Sequence, residues 1–157
     1  ADAVFSNAVF HWIHDHVRLF GVLARALRPG GRVEAQCGGE GNVSRYRAAI
    51  AELAGRDPYR HHLAGFDPNH FAGAEETEAR LRDAGFVQVR CWLQEWPMSP
   101  DEPREFIRTV ALGAYLERLP EDLRPALLDD VMGVLGPEPE LDYVRLNISA
   151  RRRAAPA

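Results

Sequence analysis

The chain has 157 residues, enough for one compact domain with its own core. Its net charge is −4 and all 19 basic residues are arginine, so no basic face is expected and nucleic acid is excluded as an obligate partner. No apolar run approaches the length of a membrane span. Cys37 and Cys91 are too far apart to suggest a metal site or disulfide framework, which leaves buried free thiols in a cytoplasmic protein as the expectation.

Ala3-Val4-Phe5-Ser6 reads as a buried strand that breaks into Asn7-Ala8-Val9-Phe10-His11-Trp12. A helix from about Asp15 to Leu27 follows, with Val17, Phe20, Leu23, Ala24 and Leu27 on one face. Pro29-Gly30-Gly31 stops it and turns the chain into a second apolar strand, Arg32 to Cys37. Strand, crossover helix, strand is the unit of a parallel sheet. After the loop Gly38 to Asn42, Ser44 is expected to cap a helix with Tyr46, Ala49, Ile50 and Leu53 as its apolar stripe. Residues 55–72 read as irregular. Glu75 to Ala84 reads as a helix that is acidic at its start, with Gly85 at its left-handed end.

Phe86 to Leu93 then reads as a strand. Helices are expected at Glu105 to Leu119 and Glu121 to Leu135, separated by Pro120. Leu141 to Ala150 alternates as the last strand, and residues 151–157 read as a disordered tail. The last two strands look like an antiparallel edge added to a parallel sheet. Ligands in open α/β sheets bind beyond the carboxyl ends of strands, and here that place is Ser6 to Trp12.

The run Asp2 to Trp12, then Leu27-Arg28-Pro29-Gly30-Gly31-Arg32, Gln36-Cys37-Gly38-Gly39 and Ala84-Gly85-Phe86, resembles the second half of class I S-adenosylmethionine-dependent methyltransferases. Within them it is most similar to the trans-aconitate methyltransferase group. The resemblance covers nearly the whole chain and implies a partial Rossmann-like fold over residues 1–150. That fold would supply the family's fourth to seventh strands in the order fourth, fifth, seventh, sixth, with the last antiparallel and a two-helix insertion before it. The family's glycine-rich cofactor turn and ribose-binding acid have no counterpart here. The chain is therefore expected to be the later part of a longer enzyme. Alone it should be inactive, bind cofactor poorly and self-associate through the exposed edge of its first strand.

The resemblance implies methyl transfer from S-adenosylmethionine to a small molecule, a carboxylate first. Ser6, Asn7, Ala8, His11 and Trp12 are its cofactor candidates, with Trp12 as an aromatic wall for a cationic sulfonium. Trp12, Gly38, Gly39 and Tyr115 are the substrate candidates. His11 is the candidate proton acceptor, and Arg45 and Arg47 are alternatives for a carboxylate. Two other readings compete. One is a non-catalytic interaction domain using the open strand edge. The other is a metal-dependent hydrolase built on His11, His14, Asp15 and His16 with His61, His62 and His70, although the histidine spacing does not match that of known metallo-hydrolases.

Overall fold

The computed structural model describes residues 1–154. Its four strands are β1 (Ala3–Asn7), β2 (Arg32–Gly38), β3 (Phe86–Glu95) and β4 (Val144–Arg152). They form one sheet in the order β1-β2-β4-β3. β1 and β2 are parallel, and β4 runs antiparallel to both of its neighbours. The strand order and the reversed last strand agree with the expectation. As that order implies, β4 lies inside the sheet, hydrogen-bonded on both sides, and β1 and β3 are the edges among the described residues. One detail differs. β4 continues through Arg151 and Arg152, so the ladder with β2 takes up the start of the expected tail; residues 155–157 lie outside the described residues.

The helices are α1 (His16–Ala26), α2 (Ser44–Ala54), α3 (Arg60–Leu63), α4 (Ala74–Asp83), α5 (Pro103–Phe106), α6 (Gly113–Arg118) and α7 (Arg124–Leu135). Packing divides the chain into two compact units where the sequence suggested one domain. The first unit holds residues 1–42, 69–96 and 144 onward, which contain the sheet, α1 and α4. Its core brings Phe10, Phe20, Leu27, Val33, Leu81, Phe86 and Leu146 together. Side chains of this size contribute about 2 kcal/mol each on full burial. Asp15 caps α1 by accepting the Arg18 N–H at 2.8 Å. Gly30 and Gly85 take the left-handed φ, +78° and +89°, that their turns require.

β1 is not the buried strand its composition suggests. Among the described residues it pairs on one side only, and Phe5 is 81% exposed. A strand flanked on both faces and both edges reads as an apolar run; here the apolar run remains and one flank is open.

The second unit holds residues 43–68 and 97–143. The insertion before the last strand is thus joined by α2, which packs on α7. Tyr46, Ile50, Leu63, Ile107, Leu127 and Val131 make its core. The expected helix 105–119 is broken: Ile107–Ala111 is a π turn in which the Leu112 N–H reaches back to Ile107 O at 2.8 Å. Ser44 does not cap α2. Val43 holds the cap position, and the Asp142 carboxylate, distant in sequence, takes hydrogen bonds from the Ser44 hydroxyl and the Arg45 N–H. The region read as irregular contains the short helix α3.

Candidate functional site

The carboxyl end of β1 fans its side chains out. Strand alternation sends Ser6 toward the helix-covered face, half-buried, and Asn7 toward the opposite face, exposed. The side chains of Ser6 and Asn7 therefore point to opposite faces of the sheet. The Ala8 N–H donates to Gln36 O at 2.8 Å, and Ala8 itself takes φ +56°. That conformation strains an L-residue and turns the chain sharply out of the strand. A single 3₁₀ turn, Phe10–Trp12, follows. It drives Phe10 and His11 inward and leaves Trp12 47% exposed at the rim.

His11 is the pivot of this corner. It is only 8% exposed, its Nδ1 accepts the Gly38 N–H at 3.1 Å, and its ring lies 5.1 Å from the Trp12 ring and 5.7 Å from Phe71. Burial, helped by the positive charge of Arg145, pulls its pKa down to about 4. The imidazole is neutral at pH 7, with its proton on Nε2. The Nδ1 lone pair is taken up by the Gly38 N–H and Nε2 carries the proton. The Cys37 thiol beside it is pushed up to about 11 by burial and stays protonated.

Gly38 and Gly39 join this corner, but for packing. A Cβ on Gly38 would stand 2.5 Å from the Phe71 ring and 2.8 Å from Asn42 Nδ2. One on Gly39 would stand 2.6 Å from Leu93 and 2.9 Å from Leu146 Cβ. Their N–H groups are committed to His11 and to Val144 O. Side-chain absence here permits close approach of protein to protein. Tyr115 belongs to α6 of the second unit, where it is buried beside Phe66.

The sheet face that carries Asn7 also carries a polar row that sequence reading did not anticipate. Register puts Asn7, Gln36, Asn147 and Trp92 side by side across all four strands. Gln36 Nε2 donates to Asn147 Oδ1 at 2.9 Å, and the Ser149 hydroxyl donates to Glu34 at 3.1 Å. Phe5, Asn7, Gln36, Trp92 and Asn147 line a hollow of about 360 Å³. The polar residues of β4 were visible as an alternation, but their alignment with Gln36 needs the register.

Three histidines gather in the first unit, the His70 ring lying 4.7 Å from that of His16 and 6.4 Å from that of His14, while His16 Nε2 bonds Phe10 O at 3.0 Å; His61 and His62 lie in the second unit. Among the described residues no three His, Cys, Asp or Glu side chains are placed to share a metal ion, so the hydrolase reading loses its ligand set. No helix among them is long and apolar enough to cross a membrane.

Comparison with known proteins gives a consistent answer. The family model "Methyltransferase domain" matches residues 1–35, the β1-α1-β2 start and its turn. The chain is 32% identical over 130 residues to a trans-aconitate 2-methyltransferase of Azoarcus, an alignment covering 81% of this chain and 50% of that protein. It is 29% identical over 126 residues to a malonyl-[acyl-carrier protein] O-methyltransferase of Paenibacillus, covering 77% and 44%. The chain thus spans about half the length of these relatives. Among solved structures, the YcgJ protein of Bacillus subtilis shares the fold, with a TM-score of 0.51 at 14% identity over 98% of this chain and 64% of that one. Sequence kinship and shared sheet together place the chain among the class I S-adenosylmethionine-dependent methyltransferases, with resemblance to the trans-aconitate group.

Proposed function

We propose that the protein containing this chain transfers a methyl group from S-adenosylmethionine to a small-molecule carboxylate, and that Ser6 to Trp12 forms one wall of the cofactor site. The observation that carries the reading is the strained exit from β1. The chain leaves the strand at Ala8 and presents Asn7 and Trp12 at the carboxyl end, within the segment that matches the family.

The residues fit a sulfonium cofactor. His11 is held neutral, so it puts no positive charge against a cation, and the exposed Trp12 ring offers its negative face. Asn7 supplies an amide for polar contact, and Ala8 allows close approach. Ser6, half-buried on the other face, supports the turn and contributes through its backbone. S-adenosylmethionine, when bound, supplies an activated methyl for in-line displacement. The chain's part is alignment and exclusion of water. His11 acts as a positioning residue, fixing Gly38 and the Trp12 ring.

Two relatives support a carboxylate acceptor: trans-aconitate carries carboxylates, and so does a malonyl group. A carboxylate is already ionised at neutral pH and needs no base, which agrees with a neutral His11 that has no free lone pair. Trp12 remains the side chain proposed to meet the acceptor. Gly38 and Gly39 contribute by letting the loop pack closely.

Calorimetric titration with S-adenosylhomocysteine tests the cofactor wall. Weak but saturable binding is expected, reduced about threefold or more in Asn7→Ala. No binding at millimolar concentration, or binding indifferent to Asn7 and Trp12 substitution, overturns the reading.

A further inference from the structure

Residues 69–73, part of the first unit, cross the corner beside β1 with no helix or strand of their own. The His70 N–H donates to His11 O at 2.8 Å, and the Glu40 N–H donates to Ala72 O at 3.0 Å. Between these bonds the Phe71 ring lies 5.7 Å from the His11 ring and fills the space that a side chain on Gly38 would need. The segment is a strap over the corner. Its anchoring side chain, His70, enters a cluster of histidines at the start of α1.

His16 is the buried member of that cluster, 2% exposed. Phe10 O takes the Nε2 proton at 3.0 Å, which leaves the lone pair on Nδ1. That Nδ1 is buried and has no hydrogen-bond partner among the described residues. The His70 ring stands edge-on 4.7 Å away, with the His14 ring 6.4 Å from it. Arg80 Nη1 lies 3.3 Å from His70 Nε2; a guanidinium only donates, so this Nε2 accepts. The chain before α1 brings His11 and His14 to the group, α1 and its cap bring Asp15 and His16, and α4 brings Glu76 and Arg80. Both carboxylates are engaged, Asp15 by the Arg18 N–H and Glu76 by Arg80.

A further proton therefore has no good place here while the strap is down. On His16 Nδ1 it makes a buried cation whose new N–H has no acceptor. On His70 Nε2 it ends the bond from Arg80 and sets imidazolium against guanidinium. Burial first, then His70 and Arg80, holds the His16 pKa below its ordinary value, against the opposing pull of the Phe10 carbonyl and Glu76. A lifted strap opens both rings to water, where they take protons freely. The strapped form is thus fully favoured above about pH 6.5 and loses ground as pH falls.

We propose that residues 69–73 are a proton-released strap: protons taken up at His16 and His70 free the segment from His11 and Glu40 and loosen the corner that holds His11 and Gly38. Control of the cofactor wall by the strap rests on the proposed role of Ser6 to Trp12. Release itself involves neither cofactor nor acceptor, so its failure is separate from that of the methyltransferase reading.

Amide hydrogen exchange, followed by NMR on the cofactor-free chain and expressed as protection factors, tests the strap. At about pH 5.5, one unit below the ordinary histidine value, each refused proton shifts the balance about tenfold toward release. Protection of the His70 and Glu40 amides should therefore fall about tenfold or more between about pH 7.5 and about pH 5.5. Lifting a strap exposes little surface, so urea at low concentration should leave these two rates alone while it speeds exchange in the β2–β4 ladder. His16→Gln combined with His70→Gln keeps both side chains neutral and should largely remove the fall. Unchanged protection across the two pH values overturns the proposal, as does a urea dependence equal to that of the ladder or a fall as large in the double variant. If the double variant fails to fold by circular dichroism, the pH and urea dependence of the unaltered chain decides alone.

Discussion

Gly39→Ala separates the packing role of the loop after β2 from a ligand role. The new methyl would lie 2.6 Å from Leu93 Cδ2, 2.9 Å from Leu146 Cβ and 3.1 Å from the Leu146 backbone N. The leucine tip can swing aside. The Leu146 Cβ and N cannot, because β4 is hydrogen-bonded on both sides. The loop must therefore move and weaken the Gly39 N–H bond to Val144 O at 3.0 Å. Overpacking of this kind costs about 1–3 kcal/mol, and the rigid partners put Gly39 near the top of that range. For a chain of this length, about 3 kcal/mol corresponds to a fall in Tm of about 6–12 °C. Gly38→Ala should cost less, because its closest neighbours are a side-chain ring and a side-chain amide that can shift. Differential scanning calorimetry of both variants checks this. A Gly39→Ala Tm within a degree of the unaltered chain, or a Gly38→Ala loss larger than the Gly39→Ala loss, would refute the packing argument.

The pH dependence of stability should carry a signature of His11. Its folded pKa, about 4, lies below the ordinary 6.5, so between these values the unfolded chain binds a proton that the folded chain does not. Stability from this group is complete above pH 6.5 and declines as pH falls toward 4, by about 3 kcal/mol at about 1.4 kcal/mol per pH unit. Urea unfolding at several pH values should show that slope reduced in His11→Gln; equal slopes would contradict it. Asp15→Ala removes the α1 cap and should cost about 1 kcal/mol by chemical denaturation, with no loss disproving the capping role. The open edge of β1 should drive self-association. Sedimentation velocity should show concentration-dependent species that Phe5→Lys suppresses, and a monomer at all concentrations would remove that expectation.

Local signals carried much of the fold. Pro29-Gly30-Gly31 and Gly85 mark their turns because their backbone conformations demand glycine or proline, and Asp15 caps its helix within three residues. Signals that depend on distant residues stayed silent. The cap of α2 comes from Asp142 and the His11 acceptor role from Gly38, whereas the inner place of β4, which follows from pairing rather than pattern, was reached only through the family resemblance. The proposed site is read from the sequence only as a location, the carboxyl end of β1, because strand polarity fixes where ligands approach a parallel sheet. Its individual roles were not. Ser6 and Asn7 diverge by alternation, and Gly38 and Gly39 serve contacts with Phe71 and Leu146 that only the folded chain reveals.

The most direct test of the cofactor wall is ultraviolet photolabelling with methyl-labelled S-adenosylmethionine, followed by peptide mapping. Label competed by S-adenosylhomocysteine should fall on the peptide holding Asn7 to Trp12, with the Trp12 indole as its foremost target. Competable label confined to other peptides, or none at all, would contradict the assignment of β1's carboxyl end to the cofactor.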